Sequence, residues 1–364
     1  MRVIVIGCGI AGASAAYHLA SSGAEVVVVD AGLPGVATEA GAGIVSPWTS
    51  RWDTAIYPLA AAAGAYYPWL AAELGEQGHD ASFEVVGGLV VSAEKAELDE
   101  AQERLTERVA AAPEAGVVSR LDPAQARELF PLLAPELSAV HLSGAGRVDG
   151  RAIRAALVAA AEGLGARFVS AAAELMSGSR VRADDEELAG DAVVLAAGAW
   201  SAALAEPLGV PVPVAPQRGQ ISHFDVPDTD TSKWPVVLPR TSHYLLSFAG
   251  GRVVAGATRE TGSGFDYRVT AAGQREVLDE ALAVAPGLAD ATLAETRVGF
   301  RPATPDTLPL LGQAAPGLFL ATGFGPAGLT LAPYAGKLVA ALVLGEDLPA
   351  DQLTACLPSR FSRR

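Results

Sequence analysis

A glycine fingerprint at the start of the chain constrains its fold more than any other feature: Gly7, Gly9 and Gly12 stand in the spacing GxGxxG. It follows an apolar run at residues 2 to 6 (RVIVI), opens a stretch with helical patterning over 10 to 22, and leads to EVVVVD at 25 to 30. That order reads as strand, tight turn, helix and strand, a parallel βαβ unit whose strands are buried on both faces. Each glycine has a physical task. Gly7 permits the turn, Gly9 lets a pyrophosphate reach the backbone, and Gly12 lets helix and sheet pack closely, while the helix N-terminus with Ile10 and Ala11 faces the phosphates. Asp30, followed by Ala31, ends the second strand where a carboxylate can accept hydrogen bonds from a ribose. A tight turn with Asp30 as a helix cap is the plainer alternative.

The fingerprint does not choose between FAD and a nicotinamide dinucleotide. A second glycine-rich turn, ATGFGPAGLTLAP, carries Gly323, Gly325 and Gly328 just before a helix expected from about Leu329 to Leu344. A helix N-terminus aimed at a flavin would stabilise the negative charge that reduction leaves there. A loop needed only for packing would use the same glycines. At 364 residues the chain exceeds one ordinary core. The strand-rich stretch from 212 to 300 reads as an antiparallel sheet inserted into the βαβ layer, giving an α/β fold with a second, α+β part. The formal net charge of −15 argues against nucleic acid or an anionic membrane surface as partner. Cys8 and Cys356 offer neither metal-ligand spacing nor a disulfide framework, so no metal is expected and a cytoplasmic setting fits. The most apolar segment, AGKLVAALVL, is short for a membrane span and contains Lys337.

Taken together, VIGCGIAGASAAYHLASSGAEVVVVD, ATEAGAGIV, GRVDGRAI, VVLAAGAWS, PQRGQI, RVVAGAT, RVGFRPATPDTLPLLG and ATGFGPAGLTLAP recur in the order found in the FAD-dependent D-amino acid oxidase superfamily. The chain resembles most closely the branch of glycine oxidases, D-amino acid dehydrogenases and sarcosine oxidase-like enzymes. The resemblance implies a glutathione-reductase-type FAD-binding domain over 1–80, 140–212 and 300–364, and a substrate domain over 81–139 and 213–299. It places Asp30 on the adenosine ribose, although the family more often has glutamate there, and Ala37 and Thr38 near the phosphates. Gly41, Ala42, Gly43 and Ile44 would lie along the flavin, and the Glu174 backbone near the adenine. Ala197, Gly198 and Trp200 would line the pyrophosphate side, and Gly325, Pro326, Ala327, Gly328, Leu329 and Thr330 the isoalloxazine edge. FAD is expected to be bound non-covalently, because the stretch RPATPDTLPLL lacks the cysteine that carries the flavin in related sarcosine oxidases.

Two residues carry the expected substrate chemistry. Arg301, in FRP after a strand, offers a planar guanidinium suited to bidentate capture of a carboxylate. In the family this arginine clamps the substrate carboxylate, and Tyr244 matches a tyrosine whose hydroxyl meets the same group; a structural ion pair and a core tyrosine are the alternatives. Trp48, His243 and Arg259 are weaker candidates for the pocket wall, with Trp52 and His223 nearby in the sequence. The implied reaction oxidises the C–N bond of a small amino acid, D-configured or glycine, to an imine that hydrolyses to an oxo acid, with oxygen or a quinone as final acceptor. A secondary-amine oxidase or dehydrogenase, a nicotinamide enzyme and a flavin-binding protein without turnover are the rivals.

Overall fold

The computed structural model describes residues 1–52, 55–177 and 179–361. Its first layer is a six-stranded sheet in the order Leu310–Ala315, Leu318–Thr322, Ala192–Leu195, Arg2–Ile6, Glu25–Asp30 and Arg167–Ser170. All neighbours run parallel except the first pair, a hairpin. The two-residue repeat of a strand divides its apolar residues between two cores. Val3, Val5, Val26, Val28 and Val194 face a cluster built from helices Ile10–Ser21, Tyr57–Glu76, Gly150–Gly163 and Gly328–Val343. Ile4, Ile6, Val27, Val29 and Val193 face the opposite side, covered by a three-stranded sheet from Ala173 to Ala189. This is why these strands read as unbroken apolar runs.

The second layer is a nine-stranded sheet in which all pairs are antiparallel except Gly88–Ser92 with Val236–Pro239. Its longest pairing joins Ala215–Asp225 to Thr292–Ala303. Helix Ala271–Val284 packs on one face through Val277 and Ala281, and helix Lys95–Ala111 seals the far end through Leu98, Ala101 and Leu105. The α/β class with a mainly antiparallel second sheet is as the sequence indicates. Strands Ser138–Leu142 and Thr292–Ala303 both belong to this second sheet, so sheet membership runs across the boundaries expected at 140 and 300.

The glycine-turn helix and the closing helix cross closely. Ser14 donates its hydroxyl to the Pro333 carbonyl at 2.6 Å, and a Cβ on Gly336 would lie 2.6 Å from the Ser14 hydroxyl. The segment Gly325–Val343 is long and apolar enough to cross a membrane, with mean hydropathy 1.3, yet 61% of that window is buried inside the fold. Its apolarity thus serves the core.

Next to this crossing, His18 shares a 2.8 Å hydrogen bond with the Tyr66 hydroxyl. Burial, reinforced by nearby Lys337, pushes the imidazole down from 6.5 to about 3. Because the folded value lies below the unfolded one, the unfolded chain takes up the proton first as pH falls. The contribution is full above about pH 6.5 and is lost progressively toward pH 3. His18→Gln keeps a polar partner for Tyr66 without a titrating ring. Its urea midpoint should therefore fall less than that of the native chain over this window, measured under matched salt.

Candidate functional site

The turn that follows the first strand is built by backbone contacts that side chains would block. Gly7 sits at φ +95°, donates its N–H to the Val29 carbonyl at 2.8 Å, and would place a Cβ 2.6 Å from the Ala196 carbonyl oxygen. A Cβ on Gly12 would lie 1.9 Å from the Gly7 carbonyl oxygen, so this glycine serves helix–sheet contact and does not line the cavity beside it. Thr38 accepts the Ile10 N–H at 3.0 Å, satisfying one of the free donors of the helix N-terminus. The Asp30 carboxylate accepts the Cys8 N–H at 2.5 Å and the Gly32 N–H at 2.8 Å, which fixes its direction at the rim.

These groups open on a cavity of about 1050 Å³. Ligand sites for drug-sized molecules span roughly 300 to 1,000 Å³, so the space suits a dinucleotide with a small second ligand. Gly7, Gly9, Ile10, Ala11, Asp30 and Ala31 form one end, and Ala37, Thr38, Gly41, Ala42, Gly43 and Ile44 continue the wall. Ala197, Gly198 and Trp200 line it as well, as do all six residues from Gly325 to Thr330. Gly198 and Gly325 have φ of +53° and +51°, and a Cβ on either would meet no protein atom within 4 Å. The turn before the closing helix is held from behind: Tyr67, fully buried, donates its hydroxyl to the Leu329 carbonyl, and Thr330 donates to the Ile44 carbonyl at 2.8 Å. Both helices present their first turns to the cavity, which suits the phosphates and the flavin of FAD.

Two expected wall residues stand elsewhere. The Glu174 side chain is exposed and paired with Arg182 across the small sheet, while Ala172 and Ala173 line the cavity in its place. Trp48 is buried among Val90, Leu98 and Leu105, because its 3₁₀ turn points the indole into the second sheet's end core; Trp52 reaches the cavity instead.

The other end of the cavity is cationic. Arg301 lies on strand Thr292–Ala303 and donates to the Thr258 carbonyl at 2.8 Å. Tyr244 opens strand Tyr244–Ser247 of the same sheet, and its hydroxyl lies against the Arg301 guanidinium. Burial pushes the phenol up and the guanidinium down, so the tyrosine remains a neutral hydroxyl beside a desolvated cation. Arg259 and His243 line the same region, with the His243 ring 3.5 Å from Glu276 and 3.7 Å from Glu280. His223 is buried away from the cavity, 4.0 Å from Glu295, and burial pushes it down to about 4.

Sequence reading missed the residues that shape this end. A Cβ on Gly219 would lie 2.5 Å and 2.6 Å from the two terminal nitrogens of Arg301, so the guanidinium rests directly on glycine backbone. A glycine inside a strand, as in PQRGQI, is the available signal for such a close approach. Thr258 was overlooked too; besides its carbonyl, its hydroxyl donates to Glu260 at 2.8 Å and accepts the Gln220 N–H at 2.9 Å.

A parallel sheet with a glycine turn, two helix N-termini on one elongated wall and a buried arginine opposite define a dinucleotide-dependent oxidoreductase. The chain belongs to the FAD-dependent oxidoreductase family, whose sequence profile matches residues 2–342. FAD is its cofactor and C–N bonds are the family's target. It is 47% identical over 96% of both chains to the uncharacterized oxidoreductase YurR of Bacillus subtilis (strain 168). It is 32% identical to the glycine oxidase of Geobacillus kaustophilus (strain HTA426), covering 96% of this chain and 94% of that one. The crystal structure of iminodiacetate oxidase from Chelativorans sp. BNC1 superposes with a TM-score of 0.94 at 46% identity, over 98% of this chain and 100% of that one.

Gly219→Ala isolates the role of the glycine platform. The new methyl meets the far end of a movable side chain, so stability and FAD content should change little, whereas Arg301 must leave its Thr258 and Tyr244 partners. We expect kcat/KM for the substrate to fall by about tenfold to a hundredfold, since a misplacement of about 1 Å can cost about a hundredfold. Unchanged kinetics in a variant fully loaded with FAD would show that the platform is not needed.

Proposed function

We propose that the chain oxidises the C–N bond of a small amino acid, with the carboxylate held by Arg301 and Tyr244. The observation that carries this reading is the desolvated Arg301–Tyr244 pair, seated on Gly219 and tied to Thr258, in the same cavity as the Gly325–Thr330 turn. Arg301 supplies a fork of donors to one carboxylate, and the neutral Tyr244 hydroxyl adds another. The pair orients the substrate so that its α-hydrogen faces the glycine-turn side of the cavity, which is positioning rather than acid–base work.

When bound, FAD supplies the two-electron acceptor. The substrate, entering with a neutral amine, loses a hydride from the α-carbon and a proton from nitrogen, forming a C=N bond. Water then adds to the imine, giving an oxo acid and ammonia, or an amine where the nitrogen carried a second substituent. The likeness to iminodiacetate oxidase favours a second reading, in which the nitrogen is secondary.

Covalent attachment of the flavin is not proposed. Cys8 and Cys356 are the chain's two cysteines, both are buried and free, and neither lines the cavity. Acid precipitation should therefore release the yellow cofactor into solution; flavin retained in the pellet would contradict this.

Anaerobic addition of D-amino acids, glycine, sarcosine, proline and iminodiacetate to the holoprotein tests the reaction. Bleaching of the flavin band by any group supports the reading, and recolouring in air then marks an oxidase. Arg301→Leu should lower kcat/KM by about 30-fold to several thousand-fold, the equivalent of roughly 2 to 5 kcal/mol for truncating one member of a buried, hydrogen-bonded charge pair. A holoprotein that no amine bleaches would sink the proposal.

A further inference from the structure

The charge on the cavity wall is opposite to that of the chain. The net charge is −15, yet Arg51, Arg104, Arg240, Arg259 and Arg301 line the cavity against only Asp30 and Asp306 among the described residues. Asp30 stands at the nucleotide end, bound by two backbone N–H groups. Asp306 is held by Arg360 at 2.7 Å. Arg104 and Arg240 share Glu100, at 2.8 Å and 2.6 Å. Two guanidiniums besides Arg301 thus have no carboxylate partner among the described residues: Arg51 and Arg259.

Of these, Arg259 stands beside the site. It follows Thr258, whose carbonyl accepts from Arg301, and its charge acts on both Arg301 and Tyr244, opposing the charged state of the first. Its neighbour Glu260 cannot neutralise it, because Glu260 is already taken by Arg218 at 2.5 Å and 3.0 Å, Gln220 at 2.6 Å and Thr258 at 2.8 Å. One substrate carboxylate would balance Arg301 and leave the second cation on the wall without a partner.

We infer that the preferred substrate is an amine bearing two carboxylates, the first held by Arg301 and Tyr244 and the second by Arg259. The inference rests on the reading of the site as an amine-oxidising one and narrows its substrate class. Arg259 is then a specificity-determining residue, exposed on the wall and free to fork around a carboxylate. The diacid skeleton also fits the second reading above, since a secondary amine can carry one carboxylate on each arm.

The test compares kcat/KM for two diacids, iminodiacetate and aspartate of either hand, with kcat/KM for two monoacids, sarcosine and glycine, using the holoenzyme. The native chain should favour at least one diacid over its monoacid counterpart by tenfold or more. Arg259→Leu should lower that ratio by tenfold or more with the flavin retained, and Arg259→Lys should restore part of it. A native preference for monoacids, or a ratio unmoved in Arg259→Leu, overturns the inference and leaves amine oxidation standing. A ratio that collapses in Arg51→Leu while surviving in Arg259→Leu overturns the assignment to Arg259. Flavin reduced by no amine at all removes the parent reading, and this one with it.

Discussion

The contact between Gly12 and the carbonyl of Gly7 is the constraint on which the rest of the molecule depends. With only hydrogen where a Cβ would sit 1.9 Å from that oxygen, helix Ile10–Ser21 is drawn against the end of the first strand. Its free N–H groups are thereby brought to the cavity wall, where Thr38 satisfies one of them. The same helix crosses the closing helix through Ser14 and Gly336, so the position of the second cofactor turn is tied to that of the first. Two glycine-rich turns far apart in the sequence become one continuous surface because two small-residue contacts allow two helices to approach.

The substrate end inherits its position from the same surface. Strand Thr292–Ala303 belongs to the second sheet, but it touches the segment leading into the cofactor wall: Phe300 donates its N–H to the Gly35 carbonyl at 2.9 Å, and a Cβ on Gly299 would lie 2.7 Å from the Ala40 side chain. Arg301 is the next residue. Its location relative to the cofactor side is thus fixed by backbone contact across the two layers, and not by the reach of a long flexible side chain. Helix Lys95–Ala111 adds a corresponding restraint on the opposite wall, where Arg108 donates to the carbonyls of Trp48 at 2.7 Å and of Ser50, holding the segment that carries Arg51 and Trp52.

Local chemistry decided which of these features could be read from the sequence. The fingerprint, Asp30 and the Gly325–Thr330 turn each combine a required backbone shape with an apolar period, so their place on the cavity follows from short windows of residues. Trp48 misled because being near the site in sequence says nothing about which face a 3₁₀ turn presents. Gly219 was invisible because its significance is non-local. Only the pairing of Ala215–Asp225 with Thr292–Ala303 puts that glycine under the guanidinium of Arg301. The boundaries near 140 and 300 cut through strands, since Ser138–Leu142 and Thr292–Ala303 show their sheet membership only through partners distant in sequence.

The arrangement around Arg301 shows how a protein can keep a buried cation ready for a ligand. The carboxylate whose charge acts on Arg301, that of Glu260, is held by Arg218, Gln220 and Thr258, so the acid is present but already committed. Arg301 is left with a backbone carbonyl and a neutral hydroxyl, both of which orient a guanidinium without cancelling its charge. An isolated charge of this kind is costly to hold in a desolvated wall, and breaking a buried pair by removing one partner costs about 3 to 5 kcal/mol in general. On the proposed function the missing partner is the substrate carboxylate, so the same cost that would destabilise an ordinary core would become selectivity for an anionic ligand: a molecule without a carboxylate would leave Arg301 uncompensated.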